Sequence, residues 1–346
     1  MLSNYFLEEP WRITFDTNPD QCNLHCIMCE IHSKYNTTIK NSNRVMDFDV
    51  IKQVLSTTTK KNLKEIIPST MGEPLLYNRF IDLIELLKEF RLKLNLTTNG
   101  TFPRLGVLEW SELILPIASD IKISIGGVSK EVNESIMEGI NFEKQMANIQ
   151  ECIKIRDRIR EAGANNPTIT FQVTFMEKNI NEMPNLLKTA IALNVDRFKG
   201  HHLWITHPEL ENQTLKKNRT TIRQWNEMVD VLFKIAEKER LINGNKIKLD
   251  NIYYIPHNSE FTTVTTDFIC PFLGREAWIA WDGTFNVCCA PDELRKSLGS
   301  FGNVTNEKFI NLWKSQKYND LVKNWGHYEV CQNCNMRRPI KNIEAC

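Results

Sequence analysis

The chain has 346 residues, 42% of them hydrophobic and 25% charged, with 43 Lys and Arg against 42 Asp and Glu. This is a globular composition that excludes disorder and fibrous repeats, and its balanced charge leaves no cationic excess to drive counterion release from nucleic acid. The opening MLSNYFLEEPWRITFD lacks the positive flank and apolar run of a secretory leader, and no stretch approaches the about 18 apolar residues of a membrane span, so a cytoplasmic protein without nucleic-acid or membrane partners is expected.

Between residues 11 and 204, short β-rich runs alternate with longer segments of helical period. Six such βα units predict an α/β fold on a parallel sheet. The expected strands are Arg12 to Thr17, Glu65 to Pro68, Lys93 to Thr98, Asp120 to Ile125, Thr168 to Thr174 and Arg197 to Leu203. The intervening helices are expected over Phe48 to Ser56, Asn78 to Phe90, Val107 to Ile117, Phe142 to Ala162 and Met183 to Ala192, with a further helix over Thr221 to Leu241. The helix from Phe142 places Met146, Ile149, Ile153 and Ile159 on one side and Lys154, Arg156, Asp157 and Arg160 largely on the other. Cys152 falls on its apolar side and reads as a core thiol.

Beyond about residue 245 the texture changes. Lys246 to Ile255 alternates like a strand, Ala277 to Cys288 reads as two short strands joined at Asp282-Gly283, and a helix is expected over Asn306 to Ser315 with Asn306 as N-cap. The division expected is residues 1–241 and 242–346, the second part short, aromatic and holding six of the ten cysteines. A segment with so little apolar bulk is stabilised most easily by a metal site.

The cysteines are clustered, which in a reducing compartment suggests metal ligands or redox groups more than structural bridges. Cys22, Cys26 and Cys29 stand as C-x3-C-x2-C directly after the first strand. Three thiolates on one loop can hold three corners of a cubane iron-sulfur cluster and leave the fourth iron open to an exogenous ligand. A structural zinc site completed by His25 or His32 is the alternative.

With these cysteines, Met71-Gly72-Glu73-Pro74, Thr97-Thr98-Asn99-Gly100 and Ser124-Ile125-Gly126-Gly127 follow the second, third and fourth strands. In this order and at strand ends, where a barrel places its active site, the chain resembles the radical S-adenosylmethionine (SAM) superfamily. The resemblance implies a partial (β/α)6 TIM-like barrel. It also implies a [4Fe-4S] cluster on Cys22, Cys26 and Cys29, with SAM chelating the open iron through its amino and carboxylate groups. Gly72, Glu73 and Pro74 look like the family's GGEP motif, which receives the SAM amino group, with Met71 in place of its first glycine. Thr98 and Asn99 look like the TNG segment, and Ser124 begins the S-x-D-G segment whose acid is absent here. Met28 stands where an often aromatic residue packs beside adenine, and Gln172 on strand five is a further candidate contact. Reductive cleavage of SAM would give a 5'-deoxyadenosyl radical that abstracts hydrogen from an unactivated carbon, with an electron donor such as flavodoxin or ferredoxin.

In the tail, Cys270, Gly283, Cys288 and the pair Cys331 and Cys334 resemble the SPASM domain, the auxiliary-cluster module of many radical SAM enzymes. Its last three cysteines are missing, apart from the isolated Cys346. This fits the shortened twitch version, a β-hairpin plus helix holding one auxiliary [4Fe-4S] cluster on Cys270, Cys288, Cys331 and Cys334. A four-cysteine zinc site is the alternative. Cys289 is placed to exchange with Cys288 as a ligand, and Cys346 is left open.

On the substrate side, Lys199, His201 and His202 end strand six and are candidates for a general base or an anion contact. Adjacent strand residues face opposite ways, so at most one of the two histidines points inward. Gln172 and Thr174 could meet substrate hydroxyls. The arrangement is similar to twitch-domain dehydrogenases of aminocyclitol biosynthesis, such as 2-deoxy-scyllo-inosamine dehydrogenase. The expected function is therefore a radical SAM oxidoreductase that oxidises a small polar, sugar-like or aminocyclitol-like molecule, with the auxiliary cluster taking the electron. A peptide maturase performing epimerisation or crosslinking is the first alternative, and a non-catalytic iron-sulfur or zinc-binding protein the second.

Overall fold

The computed structural model describes residues 6–37, 43–58, 62–69, 71–256 and 268–340. Its first part runs β1 (Arg12–Phe15), α1 (Phe48–Thr57), β2 (Glu65–Ile67), α2 (Phe80–Phe90), β3 (Lys93–Thr98), α3 (Gly106–Ile114), β4 (Ala118–Ser124), α4 (Lys130–Ile136), α5 (Phe142–Glu161), β5 (Thr168–Phe175), α6 (Met183–Ala192), β6 (Arg197–His202), α7 (Arg219–Lys238) and β7 (Lys248–Asp250). It then runs β8 (Phe268–Ile269), β9 (Glu276–Ile279), β10 (Phe285–Asn286), α8 (Asp292–Arg295), α9 (Phe309–Trp313), α10 (Gln316–Asn324), α11 (Glu329–Gln332) and β11 (Arg338–Pro339). The expected α/β architecture is borne out, with its six leading strands and the hairpin of the tail. No helix among the described residues is long and apolar enough to cross a membrane.

The chain divides into two compact units. One comprises Met1–Cys22, Ile39–Leu96 and Thr266–Cys346. Its strands lie in the order β10-β9-β1-β2-β3, with β1 parallel to both β2 and β9 and only β10 antiparallel. A two-stranded sheet joins β8 to β11. The hairpin of the tail therefore extends the parallel sheet through β9. An aromatic core fills the same unit. Trp313, wholly buried, stacks on Phe6 at 5.7 Å and lies 5.0 Å from Tyr318, and its indole N–H donates to Leu7 O at 3.0 Å.

The other unit comprises Asn23–Thr38 and Thr97–Thr265. Its strands follow the order β4-β5-β6-β7, all parallel, with Ser124 beside Gln172, Gln172 beside Lys199, and Lys199 beside Asp250. Ile169, Phe171, Val173 and Phe175 alternate with the polar residues of β5 and are fully buried, as alternation in a two-faced strand requires.

Three local expectations need correction. The tail helix begins at Phe309 behind Lys308, not behind Asn306. Asn303 captures the local donors first, accepting from Thr305 N at 2.8 Å through its side chain and from Asn306 N at 3.1 Å through its carbonyl, which holds these residues in a turn. The strand expected over Lys246 to Ile255 is cut to Lys248–Asp250, because Asn251 adopts φ 61° and its amide donates to Gly200 O at 2.5 Å. Arg156, placed by period on the polar side of α5, is wholly buried. It pairs with Asp196 and Asp157 and donates to Asn194 O at 2.8 Å, so this position faces protein while Lys154 on the same side stays exposed.

Candidate functional site

In the first unit, the loop after β1 is shaped by the Gly72-Glu73-Pro74 turn. Thr17 donates to Pro68 O at 2.5 Å, Asn18 donates to Glu73 O at 2.9 Å, and Glu73 N donates to Gln21 O at 2.8 Å. Gly72 has φ 76°, and a Cβ there would lie 2.3 Å from Asn18 O and 2.8 Å from Gln21 O. Only glycine meets both demands. The Glu73 carboxylate accepts from Leu75 N at 3.3 Å, capping the short turn Pro74–Leu76. Cys22 follows directly on this loop, half-buried.

In the second unit, Cys26 and Cys29 lie on a segment pinned by His25 N to Glu138 O at 2.8 Å and Ile27 N to Ile136 O at 2.9 Å. His32 N donates to the Cys29 sulfur at 3.3 Å, a bond that would stabilise a thiolate there. His207 donates to Cys29 O at 3.1 Å, an anchoring contact that no local feature of the sequence signals. Of the two histidines considered as zinc ligands, His25 is exposed and its Nδ1 contacts His32 O at 3.2 Å. Met28 is half-buried on the same segment.

An amide network ties the ends of β3 and β4 in this unit. Gln145 on α5 donates to Asn99 O at 2.8 Å and to Ser124 O at 2.9 Å, and accepts from Asn133 at 3.0 Å. Asn133 in turn accepts from Gly126 N at 2.7 Å and Gly127 N at 3.2 Å. Asn99 donates to Asn23 at 2.9 Å, and the buried Thr98 accepts from Gly100 N at 3.3 Å. Neither Asn133 nor Gln145 belongs to a recognisable motif, and their helical period hides them among polar surface residues. The carboxylate absent after Ser124 is supplied to the neighbouring turn from elsewhere. Glu182 accepts from Val128 N at 2.7 Å and from the Ser129 hydroxyl, and a Cβ on Gly127 would lie 2.4 Å from it.

The residues Ser124, Gln172, Lys199 and Asp250 form a row across four adjacent strands, with Thr174 and His201 one step further along. Lys199 lies 3.8 Å from Asp250, Arg197 lies 3.7 Å from Asp250 and 3.5 Å from Asp120, and Thr174 contacts His201 Nε2 at 3.3 Å. Burial, and then the charge of Lys199, lowers the His201 pKa to about 4, so the ring is a neutral donor and acceptor at pH 7. His202 faces the other way. It is 2% exposed, its ring lies 4.5 Å from that of Trp225 and 6.0 Å from that of Phe175, and neither ring nitrogen has a hydrogen-bond partner among the described residues. Burial holds it well below the ordinary histidine range.

In the first unit, pairing of β8 with β11 brings the segments after Ile269 and before Arg338 together. Cys270, Cys288, Cys289, Cys331 and Cys334 line one cavity there, walled by Leu273, Trp325 and Val330. Arg337 lies over the Trp325 ring at 4.7 Å and donates to Phe268 O at 3.0 Å, fastening the wall. Leu273 N donates to the Cys270 sulfur at 3.5 Å and Met336 N to the Cys334 sulfur at 3.4 Å. Desolvation, reinforced by the other thiols, raises Cys270 and brings Cys331 to about 12; desolvation brings Cys288 to about 11. Thiols so gathered release protons when they take up metal. Among the described residues no group of three or more Cys, His, Asp or Glu is set to hold a single ion, and no cysteine is in a disulfide. The donor set, soft sulfurs in an apolar wall with backbone N–H groups aimed at them, fits an iron-sulfur cluster. Cys346 lies outside the described residues.

Comparison with known proteins bears on both parts. The family model of the radical SAM superfamily matches residues 19–190, and that of the SPASM iron-sulfur cluster-binding domain matches residues 270–335. The chain is 26% identical over 343 residues to the tungsten-containing aldehyde ferredoxin oxidoreductase cofactor-modifying protein of Pyrococcus furiosus, covering 92% of this chain and 85% of that protein. Among solved structures, Streptococcus suis SuiB bound to its precursor peptide SuiA matches with TM-score 0.64 at 14% identity, over 96% of this chain and 73% of that one. The protein anSMEcpe with bound AdoMet and a Cp18Cys peptide matches with TM-score 0.62 at 16% identity, over 97% and 91%. At such identities these structures establish a shared fold. The two family matches place the chain in the radical SAM superfamily, with a C-terminal SPASM domain, a [4Fe-4S] cluster that works with SAM, and auxiliary iron-sulfur binding.

Proposed function

We propose that the protein is a radical SAM oxidoreductase acting on a small polar molecule. Cys22, Cys26 and Cys29 hold the catalytic cluster in this proposal, and Cys270, Cys288, Cys331 and Cys334 the auxiliary one. Met28, Gly72, Glu73, Pro74, Thr98, Asn99, Ser124 and Gln172 serve SAM. When bound, the cofactors supply a 5'-deoxyadenosyl radical and an electron acceptor. The protein's part is positioning. The Gly72 turn fixes the loop that bears Cys22, and the Asn133-Gln145 amides fix Asn99 and Ser124.

The observation behind a polar substrate is the row from Ser124 to Asp250, with Thr174 and His201 beside it. Hydroxyl, amide, ammonium, carboxylate and neutral imidazole stand side by side there, a surface suited to hydroxyl or amine groups. The neutral His201 ring would accept the proton that a substrate radical loses as it is oxidised, with Lys199 as an anion contact and the electron passing to the auxiliary cluster. The electron donor would be a flavodoxin or ferredoxin.

A second reading is favoured by the similarity, over 92% of the chain, to a protein named as cofactor-modifying. In that reading the small polar substrate is a cofactor or its organic precursor.

The test is anaerobic reconstitution with iron, sulfide and reductant, followed by measurement of 5'-deoxyadenosine with candidate polyols, aminocyclitols and organic cofactors or their precursors. Stoichiometric 5'-deoxyadenosine carrying deuterium from one substrate class supports the proposal and chooses between its forms. Failure to cleave SAM with any of them would remove its basis.

A further inference from the structure

A cubane cluster held wholly by protein needs four thiolates, yet the cavity in the SPASM domain presents five. The surplus arises at Cys288 and Cys289. Neighbouring side chains in an extended strand point to opposite faces. After β10 the chain leaves the strand and bends at Cys288, so both thiols line the same cavity. Arg295 fixes this bend, donating to Cys288 O at 3.0 Å.

The two sulfurs differ in what the backbone offers them. Ala290 N–H serves the Cys288 sulfur, as Leu273 serves Cys270 and Met336 serves Cys334. Cys289 receives no such bond among the described residues, and its neighbours are Cys288, Cys334, Cys270 and the carboxylate of Glu276.

We propose that Cys289 is an interchangeable ligand at the Cys288 corner of the auxiliary cluster. This rests on the ligand assignment made above. Cys288 holds the iron at rest because its thiolate is stabilised by a backbone N–H. In the exchange, one iron–sulfur bond to Cys288 breaks, one to Cys289 forms, and a proton passes from the Cys289 thiol to the departing Cys288 thiolate. No electron enters or leaves, and four thiolates bind the cluster before and after. Because hydrogen bonds to the ligating sulfurs help to set cluster potential, the Cys289-bound form is the harder to reduce. The corner thus offers two settings for an electron-accepting centre.

The experiment compares Cys288→Ala, Cys289→Ala, the double variant and Cys270→Ala in the full chain, reconstituted anaerobically. Iron and sulfide are counted, and the reduced clusters are examined by electron paramagnetic resonance. The wild type should hold about eight irons. Cys288→Ala should keep all of them with a shifted auxiliary signal, Cys289→Ala should keep them with the wild-type signal, and the double variant should lose about four. Loss of those four irons in Cys288→Ala alone overturns the exchange, as does an unshifted signal there or loss in Cys289→Ala alone. Retention of every iron in Cys270→Ala would instead refute the ligand assignment. The irons of the catalytic cluster report that each variant has folded, and Cys288→Ser repeats the measurement with less change in volume.

Discussion

At Gly72 one hydrogen atom decides whether the loop bearing Cys22 can close over the turn from Gly72 to Pro74. A Cβ would add strain at φ 76° and collide with two backbone carbonyls, neither of which has a flexible end to move aside. Gly72→Ala should cost about 1–3 kcal/mol from the left-handed conformation alone and more from the displaced loop. The expected outcome is a lowered melting temperature and SAM binding weakened at least tenfold, measured by calorimetry on the reconstituted protein. The histidines of β6 give a pH dependence. Their folded pKa values are depressed, His201 to about 4 and His202 well below its usual value. Between that usual value of about 6.5 and pH 4 the unfolded chain binds protons that the folded chain refuses. The stability these groups confer is complete above pH 6.5 and declines as the pH falls. His202→Phe suits the cluster of Trp225 and Phe175 and removes one such group. Its unfolding free energy, from urea titration, should depend less on pH between 6 and 5, the slope falling by at most about 1.4 kcal/mol per pH unit. An unchanged slope would show that His202 is protonated in the folded state.

At the scale of elements, α5 does two things that its hydrophobic period does not reveal. Near its start Gln145 joins the ends of β3 and β4, and near its end Arg156 is sealed among Asp157, Asp196 and Asn194 O. Removing one partner of a buried ion pair strands the others, so Arg156→Ala should cost about 3–5 kcal/mol in denaturant unfolding. Gln145→Leu removes a shared donor from two carbonyls and should cost about 1–3 kcal/mol. Its stronger effect should be on SAM affinity, because Asn99 and Ser124 lose their common brace. Equal loss of stability and affinity in both variants would make Gln145 merely structural. The strands that precede the site were legible because β-branched runs alternate with helices, and Lys93–Thr98 and Met183–Ala192 fall where the pattern put them. The bracing amides were not, since Asn133 and Gln145 look in sequence like any polar residues of a solvated helix. His207 was equally hidden, its contact with Cys29 O spanning 178 residues of chain.

At the scale of the whole molecule, the C-terminal residues are part of a compact unit that begins at the N-terminus. The parallel pairing of β9 with β1, and the packing of Phe6 against Trp313, join the two ends of the chain in one unit. A chain ended after Leu241 should therefore lose more than its auxiliary cluster. It would expose the edge of β1 and leave Ile13 and Phe15 short of cover. Limited proteolysis should find residues 1–96 of such a fragment cleaved at least tenfold faster than in the full chain, and comparable resistance would refute this coupling. Sequence by itself determined the α/β alternation, the two cysteine groups and the superfamily, because period, spacing and motif order are local properties of a chain. Only the tertiary structure decided that five thiols share one cavity, that His201 and not His202 joins the polar row, and that Arg156 is buried. These depend on which residues distant in sequence meet, and on which face of an element finds water.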